Sequence, residues 1–250
     1  MPDKHFELTD ETIKHYSRTL HRIRATRDLP EHGVTAGDLG GFVESMDNLD
    51  GNAWVAGNAK VFQTARVYGD AFIDGLAEVS FGAQVYGHAQ VLQSAAVAGE
   101  NVRIYGPAQI SGDSFIGDNA QVYGNATVRD NARVTGDAQV FERAVISGYA
   151  KVFGNAKIYG AAVVSDGSHV FGNAEIYGHS WILGESVARD HAKISGSARV
   201  FGYAWVFGNA EVSGKAELRD VVKISGTTKV TGNAVVDGNT DLPGSDVIDK

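Results

Sequence analysis

The sequence predicts an all-β fold, a triangular parallel β-solenoid with 18 residues per coil, and three observations predict it. The first is a six-residue period of the form Ala-x-Val-x-Gly-Asn, plainest over Gly148–Gly160, which runs from Ala53 to Leu242 as 32 hexapeptides. Its only break in phase is one extra residue between Val97 and Val102. The second is the residue that closes each repeat, which is Gly in 23 of 32 cases and Asp in five more. The third is an aromatic ladder at every third repeat: Tyr68, Tyr86, Tyr105, Tyr123, Phe141, Tyr159 and Tyr177.

Each observation has a physical reading. Residues two apart in an extended segment point to the same face, so the Ala and the aliphatic residue of a repeat both turn inward. The aliphatic position is Val, Ile or Leu in 31 of 32 repeats, with Ala188 the exception, and the position two before it is Ala in 24. Ala beside Val keeps the interior thin, so short flat sides can close into a narrow prism. Gly and Asp, often followed by Asn as at Asn58, Asn125, Asn155 and Asn209, tolerate the positive φ that a sharp corner needs. A ladder stepping by three repeats makes three sides per turn, with like residues stacked about 4.8 Å apart. About ten coils and a length of about 50 Å follow.

The pattern resembles the hexapeptide-repeat left-handed parallel β-helix family over residues 53–242. Handedness is an implication of that resemblance, not of the spacing. Leu20-His-Arg-Ile-Arg-Ala-Thr-Arg-Asp28, Ala36-Gly-Asp-Leu-Gly-Gly-Phe-Val-Glu44, Asn48-Leu49 and Gly51-Asn-Ala-Trp-Val55 are similar to the YdcK-like bacterial and phage proteins. That group has been given a transferase label by fold analogy, which carries no chemistry by itself.

The 250 residues include no Cys, which removes disulfide frameworks and thiolate metal sites. A net charge of −8 argues against general nucleic-acid binding. No apolar run reaches the length of a membrane span, and Met1-Pro-Asp-Lys-His-Phe lacks a signal-peptide core. A cytoplasmic protein is expected, and a virion component would read the same way.

Residues 1–42 are aperiodic through most of their length and are expected to cap the unpaired edge of the first coil. Thr19–Ala25 alternates like a strand, whereas Thr9-Asp-Glu-Thr-Ile could open a helix. Asp28, Asp38 and Glu44 read as turn and cap residues. Gly37-Asp-Leu-Gly40-Gly41 lacks the Lys-Ser/Thr of a P-loop and the spacing of a dinucleotide fingerprint. From Val43 the aliphatic phase is set (Val43, Leu49, Val55), so residues 43–250 form the solenoid.

None of the 64 inward positions is charged, so any site lies on an outer face, a corner, an end or between subunits. The first face carries the Tyr ladder beside Arg66, Gln84, Arg103, Gln121, Gln139, Lys157, Glu175 and Lys193, a candidate ligand or partner face. The second carries Trp54, Phe72, Leu92, Val145, Val163, Trp181, Leu183, Phe201 and Val235, a candidate homo-oligomer face. The third carries Phe62, Phe115, Phe153, Phe171, Trp205 and Phe207 among Lys60, Arg133, Lys151 and His169. Stacked aromatics can equally serve only to hold neighbouring coils together.

For an acyltransferase, the resemblance implies a catalytic His, a loop inserted from the coil and a cleft between trimer subunits. Here no insertion exceeds one residue. The solenoid histidines are His88, His169, His179 and His191, and the cap holds His5, His15, His21 and His32. His88 and His179 share a corner line five coils apart, about 24 Å, too far to share a metal. The three-His zinc site of solenoid carbonic anhydrases is not recoverable, and no flat face repeats the Thr-x-Thr of ice binders. The reading is a non-enzymatic solenoid, without cofactor or metal, whose outer faces bind its own copies or a partner. The alternatives are an acyltransferase-like enzyme with an inter-subunit site and a small-ligand sequestering protein that stacks planar groups on tyrosines.

Overall fold

A computed structural model describes residues 4–250 and divides into two compact units, one ending at Gly124 and one spanning Asn125–Lys250. Both are parallel β-solenoids built from the same 18-residue coil. In the first unit Trp54, Phe72, Gln90 and Gln109 pair in succession on one side. Lys60, Glu78, Ala96 and Phe115 do so on the next. Arg66, Gln84, Arg103 and Gln121 complete the triangle. The second unit repeats this with Val145, Val163, Trp181, Arg199, Glu217 and Val235 on one side. Its other sides run through Arg133, Lys151, His169, Val187 and Trp205, and through Lys157, Glu175, Lys193, Glu211 and Lys229. The last row alternates cation and anion in register, the pairing that favours neighbouring strands.

About twelve turns are formed rather than about ten. The difference lies at the ends, where coil pairing begins as early as Phe42↔Lys60 and still includes Asn239–Leu242 and Val247–Asp249. The extra residue before Val102 is absorbed in a corner, so Gln84 pairs with Arg103 and register is kept.

The Ala and aliphatic positions are sealed in both units. Where Ser replaces Ala in the second unit, its hydroxyl is satisfied locally: Ser168, Ser180 and Ser186 donate to the carbonyls of Ser165, Tyr177 and Leu183 at 2.6, 2.9 and 2.7 Å, whereas Ser114 Oγ in the first unit is buried without a hydrogen-bond partner among the described residues. A buried hydroxyl with such a partner costs little.

The corners obey a second rule. Gln63, Gln93, Asp118, Asp130, Glu142, Asp166, Asp190 and Asp220 stand where most repeats have Gly, and all adopt φ between 57° and 63°. Their side chains give that conformation a function. Glu142, Asp166 and Asp190 accept from the backbone N–H of Gly160, Gly184 and Gly208, the same corner one coil on, at 2.9, 2.9 and 3.1 Å. Gln93 does this for Gly112 at 2.6 Å. An acceptor thus offsets the strain of a non-glycine in the left-handed region.

The cap is a hairpin of β1 (Phe6–His15) and β2 (Arg18–Ala25) joined antiparallel, with β2 pairing to β3 (Leu39–Val43). Thr9–Ile13 lies in strand, not helix: Thr12 and Ile13 pair with His21 and Leu20 across a register shift that follows Leu8, and Ile13 adds to a small core of Leu20, Phe42 and Phe62. Strand β3 leads straight into the first coil. Its glycines serve contact, not phosphate. A Cβ at Gly40 would lie 2.5 Å from the Val55 carbonyl oxygen, and one at Gly41 would lie 2.6 Å from that of Ala59. Asp28 and Asp38 accept from the backbone N–H groups of Ala36 and Thr35, at 2.8 and 2.7 Å, as turn residues do.

Two histidines fasten the cap to consecutive carbonyls of the first coil. His5 Nε2 donates to Ala53 O at 2.7 Å, and His32 Nε2 donates to Asn52 O at 3.0 Å. Burial, outweighing these hydrogen bonds, holds both imidazoles below their usual 6.5. The folded state then binds protons less readily than the unfolded chain. Stability from this latch is intact above pH ~6.5 and declines as pH falls below it. Amide exchange in residues 49–55 should therefore accelerate between pH 7 and pH 5 beyond the intrinsic rate change, and the paired change His5→Gln, His32→Gln should flatten that dependence. Separately, Gly41→Ala should lower unfolding stability by about 1–3 kcal/mol, because backbone carbonyls cannot retreat as side chains can; chemical denaturation measures it.

Candidate functional site

The first face is a continuous ring stack within each unit. In the first, Tyr68, Tyr86, Tyr105 and Tyr123 lie 4.8, 5.1 and 4.8 Å apart between ring centres, within 6° of parallel. In the second, Phe141, Tyr159 and Tyr177 follow at 4.9 and 5.0 Å. The spacing is that of the strands themselves. Each ring face is therefore covered by its neighbour, and only edges and hydroxyls meet solvent. Burial, reinforced by adjacent phenols, raises Tyr68 and Tyr105 above the usual 10.0, and burial followed by Glu175 does so for Tyr159. The Arg66 guanidinium carbon sits 6.0 Å from the Tyr68 ring centre, and Arg103 lies in register between Gln84 and Gln121. A planar ligand would have to part rings already in contact, so this geometry favours a staple between coils.

The second face is divided by its surroundings. Trp54 is sealed beneath the cap at 2% exposure, and the His32 ring stacks on Phe72 at 5.2 Å and 16°. These two residues of the expected oligomer face are thus covered by the chain's own N-terminal cap. Leu92, Val145, Val163 and Phe201 are half-buried, and Trp181 is exposed. Sequence periodicity cannot foresee this, since cap residues carry no repeat.

In the second unit the exposed aromatic residues lie on the second and third faces and the corner between them. Trp181 stands on one face and Trp205 on the other. Tyr149 and Tyr203, 69% and 62% exposed, occupy the corner line joining them. Three arginines lie over their aromatic neighbours: Arg199 over Trp181 at 5.5 Å, Arg189 over Phe207 at 4.5 Å and Arg219 over Phe201 at 5.9 Å. The corner tyrosines went unread in the sequence, although each stands where neighbouring repeats have Asn, Gly or Glu.

The histidines are dispersed. His88 Nδ1 is 3.8 Å from Asp70 across a shallow hollow that Glu31, His32 and Phe72 also line. His169 sits between Lys151 and Val187 on a flat side. Among the described residues, no group of three or more His, Cys, Asp or Glu is placed to hold a metal ion. No helix among them is long and apolar enough to cross a membrane.

Fold and surface together define a β-solenoid repeat protein. A family model described as YdcK Beta solenoid repeat matches residues 120–134, slightly less than one coil. The comparison with curated proteins gives no match.

If the ring stack is a staple, Tyr105→Ala should cost about 1–2 kcal/mol of unfolding stability, since it removes contacts on both sides. Raised phenol values mean the folded chain resists ionisation, so stability should hold below pH ~10 and decline above it. Thermal unfolding across pH 8–11 reads both effects.

Proposed function

We propose that the chain is a non-enzymatic scaffold that self-associates through the edge between the second and third faces of its second unit. The observation that carries this reading is the exposure of Trp181, Tyr203 and Trp205 on these two faces and the corner between them, with Arg199 and Arg219 lying over the second-face rings of Trp181 and Phe201. Trp, Tyr and Arg are the residues that dominate the energetics of protein interfaces, where rigid aromatic area is buried with little loss of rotamer freedom. On a monomer about two-fifths of each tryptophan and more than half of Tyr203 stand in water. A parallel solenoid also presents this edge along several coils, so two copies can meet along a line of contacts. The dry interior supports the reading by leaving the exterior as the place where function can reside.

Light scattering coupled to size exclusion at about 50 μM tests it against a chain mass of 26.5 kDa. The wild type should elute as a multiple of that mass. Trp181→Ser with Trp205→Ser should return the monomer with the chain still folded, as its melting transition shows, because neither side chain belongs to the sealed interior. A wild-type monomer, or an oligomer indifferent to both substitutions, would remove the proposal.

A further inference from the structure

We infer that a hollow beside the cap, between the hairpin tip and the corner at Phe81, binds a small planar aromatic molecule carrying an anionic group. The site lies wholly in the first unit and is separate from the edge discussed above. It begins with a departure from the corner rule. Phe81 has φ 59°, the same left-handed conformation as the acceptor-bearing corners, yet its ring offers no acceptor. It is also 52% exposed, so it does not gain the burial that would offset the conformational cost. Its N–H is capped by Gln63 Oε1 at 2.7 Å, so the corner is held from the coil before it while the ring projects.

Three further irregularities meet at the same place. The one insertion in the whole repeat, at Gly99–Asn101, falls on the next turn of this corner line, and Gly99 has φ 154°. The outward positions beside it shrink to Ser80, Ala96 and Ala98, whereas Lys60 and Phe62 stand one coil earlier and Phe115 one coil later. The hairpin tip, finally, places Tyr16 over them at 76% exposure, with φ 45°. The result is a hollow of 450 Å³ with an alanine floor and walls of Tyr16, Phe62 and Phe81. A cavity of about 150 Å³ holds benzene, so a fused bicyclic ring fits this one.

Charge decides the substituent. The one lining carboxylate, Glu78, already shares Oε1 with Lys60 Nζ at 3.1 Å and His15 Nε2 at 3.2 Å. The one lining cation, Arg18, gives Nη1 to Glu44 at 2.6 Å. Guanidinium has five N–H donors, and among the described residues Arg18 commits only that group, leaving donors for a carboxylate or sulfonate at the mouth. Tyr16 and Phe62, packed against each other with ring centres 6.3 Å apart, form one aromatic wall and supply the apolar contact.

The test titrates the full chain with 8-anilinonaphthalene-1-sulfonate, a fused ring bearing an anion, and follows its fluorescence. One saturable site is expected. Phe81→Gly should weaken binding about tenfold or more while leaving the melting temperature unchanged or higher, because Gly adopts that φ freely. Ala98→Phe, which fills the floor and leaves the corner untouched, should weaken it comparably. Arg18→Gln should weaken the sulfonate probe more than the uncharged N-phenyl-1-naphthylamine. Absence of a saturable site would overturn the inference, as would wild-type affinity in both Phe81→Gly and Ala98→Phe. Loss of the signal in Tyr203→Ser, with Ala98→Phe unaffected, would place the binding on the other unit and overturn it equally.

Discussion

The structure depends on one constraint: corners turn at positive φ, and the N–H just after a corner donates to the corner carbonyl of the next coil, as Asn155 does to Gly172 at 2.7 Å and His191 to Gly208 at 2.9 Å. Short sides leave no room for a gradual bend, and L-residues resist that conformation at a cost of about 1–2 kcal/mol each. Glycine avoids the cost. Elsewhere Asp, Glu or Gln offsets it by accepting from the following coil, as Asp166 does from Gly184 and Glu142 from Gly160. The corner and the stacking are therefore a single interaction. Once it fixes 18 residues per turn, like residues stack, and the tyrosine rings, the asparagine pairs such as Asn155 and Asn173, and the alternating charges fall into line.

Much of this was legible in the sequence because a repeat displays its own geometry many times. The phase of Ala and Val gave the inside, and the tyrosine ladder gave the number of sides. What stayed hidden belongs to residues outside the repeat. Nothing in the period tells that Trp54 lies under the cap or that His32 covers Phe72, since the cap residues have no counterpart elsewhere in the chain. The tyrosine face shows the same limit, since ligand face and staple between coils both fit its spacing. Spacing showed that the rings align, but only their 1–6° tilts show that they cover one another.

The informative residues are those that break a rule kept elsewhere. Phe81 occupies a position that is otherwise Gly or an oxygen acceptor, a signal present in the sequence once corner chemistry is understood. Tyr149 and Tyr203 likewise replace the small or polar residues usual after a corner. Regularity in this molecule reports stability, and departure from it reports where stability was not the only demand.

The most direct measurement of the central claim is amide-to-amide NOE spectroscopy on deuterated protein, read along Lys157–Glu211. Cross-peaks should connect residues 18 apart, Ile158 with Ile176 and Ile176 with Ile194, as the paired strands require. Cross-peaks at spacings of 12 or 24 residues would mean two or four sides per turn and would contradict the account.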